Sequence, residues 1–152
     1  MRKIAFISAV LVALAAAVPA SGAMLAKSCG NSCATLTAAG KGSLGVVGSG
    51  AEWGSFSSGT VWVRDRTGKS NPRTWVNGSG LKWKSLGDDG WKATTTKAIT
   101  FLANGKFWVK LQGPKIKVHG VFDGTGNING IGTYTLQGQQ HPWPSVNRAL
   151  TF

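Results

Sequence analysis

Acidic side chains are scarce in this sequence. Its 152 residues include five Asp and Glu against 17 Lys and Arg, which gives a formal net charge of +12. A carboxylate pair for glycoside hydrolysis would have to join Glu52 to Asp65 or Asp123, and their spacing does not favour such a pair. Asp88 and Asp89, like Asp123, lie in turn-type sequences, where Asp serves the backbone. We therefore expect a protein without catalytic activity, and we keep a small extracellular hydrolase as the enzymatic alternative.

No apolar run is long enough to span a bilayer. The longest covers residues 4–18, about 15 residues against the roughly 20 that a membrane helix needs. It follows the basic pair Arg2-Lys3 and ends before small residues, which is the pattern of a secretory signal. Cleavage after Ala20 also fits, but we prefer Ala23 and a signal peptide of residues 1–23. The mature chain is then basic, secreted or associated with the cell envelope, and without an integral membrane span.

Cysteine is scarcer still. The two cysteines, Cys29 and Cys33, lie close together just beyond the predicted cleavage site. In an exported protein such a pair is expected to form a disulfide, although the small loop that it closes limits the entropic gain. A redox pair, or half of a metal site with His119 and His141, is the alternative. Since there is no second cysteine pair and no other residues have ligand spacing, we predict neither a metal nor a cofactor.

Helical periodicity is absent after the signal peptide. Residues 24–58 are rich in Gly, Ala and Ser and predict an irregular or edge-strand segment. Residues 59–152 alternate β-prone runs with turn sequences such as Asp123-Gly124, at about ten-residue spacing. Short connections favour an all-β, antiparallel β-meander forming a sandwich or small barrel, as one globular domain that includes part of the preceding segment. The predicted strands are Thr60–Arg64, Arg73–Val76, Leu81–Leu86, Trp91–Thr95, Ala98–Ala103, Lys106–Gln112, Lys115–Phe122 and Ile131–Leu136.

Two dipeptides predict tight hairpins. Asn104-Gly105 favours a type I′ turn, and Gly113-Pro114 suits a type II′ turn. The first register places Ile99 and Phe101 on the same face as the lysines that follow the turn. Both registers agree on an apolar core face, because a slip by one residue would bury lysines instead. The predicted core residues are Phe107, Val109, Leu111, Ile116 and Val118.

The opposite face of these hairpins is cationic and aromatic. Lys110 would lie directly opposite Lys117, and a bound polyanion would relieve their repulsion. Trp108 could stack on a sugar ring while neighbouring ammonium groups meet phosphate or carboxylate. The alternative is a solvated face whose lysines prevent edge aggregation. The candidate binding residues are Lys106, Trp108, Lys110, Lys115, Lys117 and His119, extended by Trp62, Arg64, Lys82, Lys84 and Lys92.

A resemblance to a known group rests on glycine spacing. Glycines recur between the short strands of residues 59–152, and the segment 130–136 is followed by Pro142-Trp143-Pro144, which predicts a rigid stretch that caps the sheet with Trp143. In this texture the chain resembles small exported glycine-rich β-proteins of actinobacteria. The resemblance implies export and a β-fold, but that group has no settled activity and no functional residue carries over. The chain also departs from it in using mostly Lys where many Arg are expected.

Charge and compartment together suggest a binding function. A strongly basic surface attracts polyanions, and outside the cytoplasm these are cell-envelope glycans, acidic polysaccharides or similar anionic surfaces. We expect no specific nucleic acid as a partner. The rival hypothesis is a structural or self-assembling envelope protein whose exposed strands and aromatic patches pair with copies of the same chain. The sequence leaves the oligomeric state open.

Overall fold

The computed structural model describes residues 32–66, 74–87 and 89–152. Within these ranges the chain forms eight antiparallel strands in one sheet that does not close, and no α-helix. The all-β prediction is confirmed, whereas a closed small barrel is not formed. No helix in this part of the chain is long and apolar enough to cross a membrane. The strands are β1 (Ala34–Phe56), β2 (Gly59–Asp65), β3 (Thr74–Gly78), β4 (Lys82–Gly87), β5 (Gly90–Thr95), β6 (Ile99–Leu136), β7 (Gln139–Pro142) and β8 (Arg148–Thr151).

Several predicted features lie outside the described residues. These are the signal peptide of residues 1–23 with both cleavage sites, and Cys29. The signal peptide and the Cys29–Cys33 disulfide therefore stay predictions. The same holds for the turn residue Asp88 and for Arg73, the first residue of a predicted strand.

The two longest strands, β1 and β6, build the centre of the sheet. β1 is paired with β6 along both of its edges. Residues 99–122 of β6 lie along one edge of β1, and residues 117–136 of β6 lie along the other. The β6 residue His119 therefore lies between two parts of one strand, opposite Thr37 on one side and Trp53 on the other. The prediction of an irregular or edge-strand segment over residues 24–58 is wrong for Ala34–Phe56, because β1 has partners on both edges.

The meander prediction is also wrong. The hydrogen-bonded order is β1-β6-β2-β5-β4, with β3, β7 and β8 attached to β6, so chain neighbours are often not sheet neighbours. β6 continues through all the positions at which turns were expected, Asn104-Gly105, Gly113-Pro114 and Asp123-Gly124. The strand continues without a turn at these dipeptides because their glycines lie opposite glycines of β1. The opposed pairs are Gly105 with Gly50, Gly113 with Gly42 and Gly124 with Gly48.

A bulge replaces the predicted Gly113-Pro114 turn. Gly42 pairs with Gly113 and Gly40 with Ile116, so β6 has one more residue than β1 between these two pairs. Lys115 has a φ of 52°, the left-handed conformation that such an irregularity requires. The bulge shifts the alternation of β6, so that odd-numbered residues face the core before it and even-numbered residues face the core after it.

The core lies on one face of the bent sheet, which we call the inner face. The predicted core residues Phe107, Val109, Leu111, Ile116 and Val118 are all buried, which confirms that part of the pattern. Since no hairpin reverses the chain at Asn104-Gly105, Ile99 and Phe101 also face the core. They do not share a face with the lysines, contrary to the prediction. Trp143 is buried as predicted, and its indole Nε1 donates a hydrogen bond of 2.9 Å to the Thr133 carbonyl.

Candidate anion-binding face

Four neighbouring strands place a row of side chains across the outer face of the sheet. Trp62 of β2 lies between Lys92 of β5 and Lys110 of β6, and Lys84 of β4 lies opposite Lys92. The Nζ atoms of Lys92 and Lys110 are 5.3 and 5.2 Å from the centroid of the Trp62 ring. An ammonium group within about 6 Å of an indole is attracted to the ring face. Trp62 is thus held between two cations.

The adjoining row repeats this arrangement with arginine. Arg64 lies opposite Trp108 on one side and Gly90 on the other. Its guanidinium carbon is 6.0 Å from the centroid of the Trp108 ring. A Cβ atom at Gly90 would come within 3.0 Å of Arg64 Nε, so the glycine leaves room for the guanidinium group. We call Lys84, Lys92, Trp62, Lys110, Arg64 and Trp108 together the cationic face.

A cleft opens at the end of the cationic face. Its volume is about 520 Å³, and Arg64, Arg66, Leu86 and Trp108 line it. The Nε atom of Arg64 is buried and has no hydrogen-bond partner among the described residues. A buried donor without a partner is costly, and an anion in this cleft would supply an acceptor close to it.

Among the described residues, the acidic side chains near these strands do not belong to the cationic face. Asp65 lies opposite Phe107, which faces the core, and Asp89 lies in the turn between β4 and β5. Glu52 belongs to the inner face. Lys106 precedes Trp108 by two positions on β6, and Lys82 precedes Lys84 by two on β4, so both continue the outer face at its margins. The field over this surface is therefore positive.

The remaining candidates occupy another part of the outer face. Lys115 is exposed at the bulge, and Lys117 is exposed between Ala39 and Ser55 of β1. His119 stacks on Trp53, with ring centroids 6.1 Å apart and an angle of 21° between the planes. The predicted opposition of Lys110 and Lys117 is wrong, because β6 does not fold back at Gly113-Pro114. The structure accordingly does not set these residues beside Trp62.

Glu52 is buried, which the sequence analysis did not predict. It is 1% exposed, between Ala103 of β6 and Gly120 of β6 on the inner face. Neither carboxylate oxygen has a hydrogen-bond partner among the described residues, and burial raises the pKa of this carboxyl to about 8. Asp123 is exposed and follows the buried Phe122, so it projects from the opposite face. The two carboxyl groups are not arranged as a hydrolytic pair.

Sequence reasoning missed two residues that line the cleft. Arg66 and Leu86 line the cleft beside Arg64, although neither was a candidate. Trp83 lies opposite Ala93, a core residue, and so faces away from Lys84 and Lys92. Trp91 and Ala93 alternate along β5 and lie opposite the valines of β2. This alternation is the signal that would have placed the indoles of Trp83 and Trp91 on the inner side.

Comparison with known proteins gives no match for this chain. No family model fits it, and neither a curated protein nor a solved structure is significantly similar to it. The protein is therefore described by its own geometry alone. It is an open antiparallel β-sheet protein with a cationic, tryptophan-bearing outer face.

Proposed function

We propose that the protein is a secreted, non-catalytic domain that binds an anionic polymer through the cationic face. The observation that carries this proposal is the pairing of indole rings and cations in two adjoining rows. Trp62 has an ammonium on either side, and Trp108 has the Arg64 guanidinium beside it. We place this face on the outside of a sandwich-like fold, since the inner face of the same strands holds the apolar core.

The spacing of the sheet suits a polymer with repeated charges. Neighbouring strands lie about 4.8 Å apart, and alternate residues of one strand are about 7 Å apart. Each exposed ion pair is weak and screened by salt, so useful affinity needs several contacts along one ligand. Ring faces between the cations can stack on the sugar units that carry the charges. An acidic polysaccharide or an anionic cell-envelope glycan has both features.

Loss of two lysines from the cationic face is expected to weaken polyanion binding. With heparin as the probe, the Lys92→Gln, Lys110→Gln variant should bind several-fold more weakly at low salt. The slope of log affinity against log salt should fall by about 1 for each lysine that releases a counterion. Titration calorimetry at a series of salt concentrations measures both quantities.

A matched variant separates the site from net charge. Lys41→Gln, Lys97→Gln removes the same charge from two exposed positions outside the cationic face. This control should retain nearly the affinity and salt slope of the natural sequence. Equal losses in both variants would mean that long-range attraction to a basic protein explains the binding, and the proposed site would be rejected.

Self-assembly has one observation in its favour. β4 pairs only with β5 among the described strands, so it presents an edge, and its Trp83 and Leu86 are 47% and 36% exposed. The same edge carries Lys82 and Lys84, and lysines at an edge oppose pairing with another copy. We therefore favour ligand binding. Light scattering at low and high salt distinguishes the two, because an assembly built on apolar contacts would persist at high salt.

A further inference from the structure

A second concave site lies on the inner side of the sheet, beyond the core. Val63, Thr74, Trp75, Val76, Trp83 and Trp91 line this groove, which has a volume of about 400 Å³. We call it the tryptophan groove. The indoles of Trp83 and Trp91 face it, and each of these residues is 47% exposed, which is unusual for its size. Trp75 lies opposite Leu102, on the other face of β3 from Thr74 and Val76, so its indole is not counted with them. Exposed apolar surface gathered in one concavity marks a place where something binds.

The indole rings of Trp83 and Trp91 lie at right angles to each other. The rings of Trp83 and Trp91 are 6.5 Å apart between centroids, with their planes at 88°. Each is fixed by its strand, since Trp83 lies opposite Ala93 and Trp91 opposite Val63. An edge-to-face pair of this kind is stable without a third ring. The exposed surfaces of both rings therefore remain for a ligand.

One polar atom interrupts the apolar lining. The hydroxyl oxygen of Thr74 is buried, and it has no hydrogen-bond partner among the described residues. A hydroxyl in that state lacks the partner that buried polar groups normally have. Among the described residues, the side chains that line the groove include no ammonium, guanidinium or carboxylate. A ligand that suits the groove is consequently uncharged, has an apolar face for the indoles and offers a hydroxyl group to Thr74.

We infer that the tryptophan groove binds an uncharged sugar ring of a glycan. The carbon-bound hydrogens of a pyranose form an apolar face that can lie on an indole, while its rim of hydroxyl groups can exchange a hydrogen bond with Thr74. The volume lies within the range of about 300–1,000 Å³ usual for small-molecule sites. This site is separate from the cationic face, because Trp83 and Lys84 are neighbours on β4 that point to opposite sides.

Titration calorimetry with cellotetraose, chitotetraose and maltotetraose tests the inference. At least one of these neutral oligosaccharides should bind, with equal affinity at low and high salt, since no ionic contact is involved. The Trp83→Ala, Trp91→Ala variant should weaken binding by roughly tenfold or more, as expected for loss of ring stacking. Thr74→Val keeps the shape of the side chain without its hydroxyl group, and should weaken binding roughly fivefold. Trp53→Ala, which removes an indole that stacks on His119 outside both the groove and the cationic face, should leave the affinity unchanged.

Several results would overturn the inference. These are binding of none of the three sugars, equal binding by the double tryptophan variant and the natural sequence, or binding that falls steeply with salt. A change in oligomeric state on Trp83→Ala, Trp91→Ala, without competition by sugar, would assign the groove to a second copy of the chain. Should that variant fail to fold, Thr74→Val decides, because undiminished affinity in it contradicts the inference. None of these results depends on whether heparin binds the cationic face.

Discussion

Glu52→Gln is expected to abolish most of the pH dependence of stability at mildly acidic to mildly alkaline pH. In the folded chain the Glu52 carboxyl is buried without a hydrogen-bond partner among the described residues, which raises its pKa from 4.5 to about 8. The unfolded chain releases this proton near pH 4.5, whereas the folded chain retains it up to about pH 8. The free energy of unfolding therefore falls as the pH rises between these values, and it levels off above the folded pKa.

The size of this effect follows from the pKa displacement. A difference between 4.5 and about 8 corresponds to about 4–5 kcal/mol of unfolding free energy, fully present below pH 4.5 and lost by the time the pH exceeds 8. Glutamine has the shape of protonated glutamate and does not ionise. The variant should match the natural sequence at low pH and exceed its stability by several kcal/mol above pH 8.

Urea unfolding at a series of pH values measures the difference. Asp123→Asn is the matched control, because it neutralises an exposed carboxylate on the other face of the sheet. Its curve should run close to that of the natural sequence. Parallel curves for Glu52→Gln and the natural sequence would show that the Glu52 carboxyl is hydrated or paired in solution, contrary to its place in the core.

The second large effect is expected at the closest approach of β1 and β6. Gly130 lies opposite Gly42, and a Cβ atom at Gly130 would come within 2.1 Å of the Lys41 carbonyl oxygen. Gly130 also has a φ of +137°, a conformation that other residues rarely adopt. Gly130→Ala combines backbone strain with a collision against rigid backbone. We expect it to lower the unfolding free energy by about 3–5 kcal/mol.

Gly87→Ala separates the two causes. Gly87 has a φ of +72° but nothing within 4 Å of an added Cβ atom, so its substitution reports conformational strain alone. That variant should lose only about 1–2 kcal/mol in urea unfolding. A loss in Gly130→Ala no larger than in Gly87→Ala would mean that β1 and β6 can separate locally without penalty. The glycine pairs would then not be what allows the two strands to pack along both edges.

Local pattern predicted β2, β4 and β5 well, missed the short strands β7 and β8, and predicted the long strands poorly. β2, β4 and β5 begin and end within a residue or so of their predicted limits, because alternation and flanking turns are local signals. β1 was missed because glycine, alanine and serine have low strand propensity. In the structure these small residues allow β6 to approach from both sides. That advantage depends on residues far along the chain and cannot be seen in the segment itself.

The same limit explains the hairpin error. Asn104-Gly105 has the composition of a two-residue turn, and nothing nearby in the sequence shows that Gly50 will lie opposite Gly105. Alternation still assigned Phe107 and Lys110 to opposite faces, since a continuous strand and a hairpin share that period. The association of Trp62 with Lys92 and Lys110 required the neighbours of β2, which only the sheet order provides.

The most direct test of the central claim is to record which indole N–H resonances shift when a heparin-derived oligosaccharide is added to nitrogen-labelled protein at low salt. The signals of Trp62 and Trp108 should move in a saturable manner that high salt reverses. The Trp143 signal should not move, because its indole is buried and hydrogen-bonded to Thr133. Shifts confined to Trp53, which stacks on His119, would place the ligand elsewhere on the outer face. Those shifts, or none at Trp62 and Trp108 while heparin binds, would contradict the account.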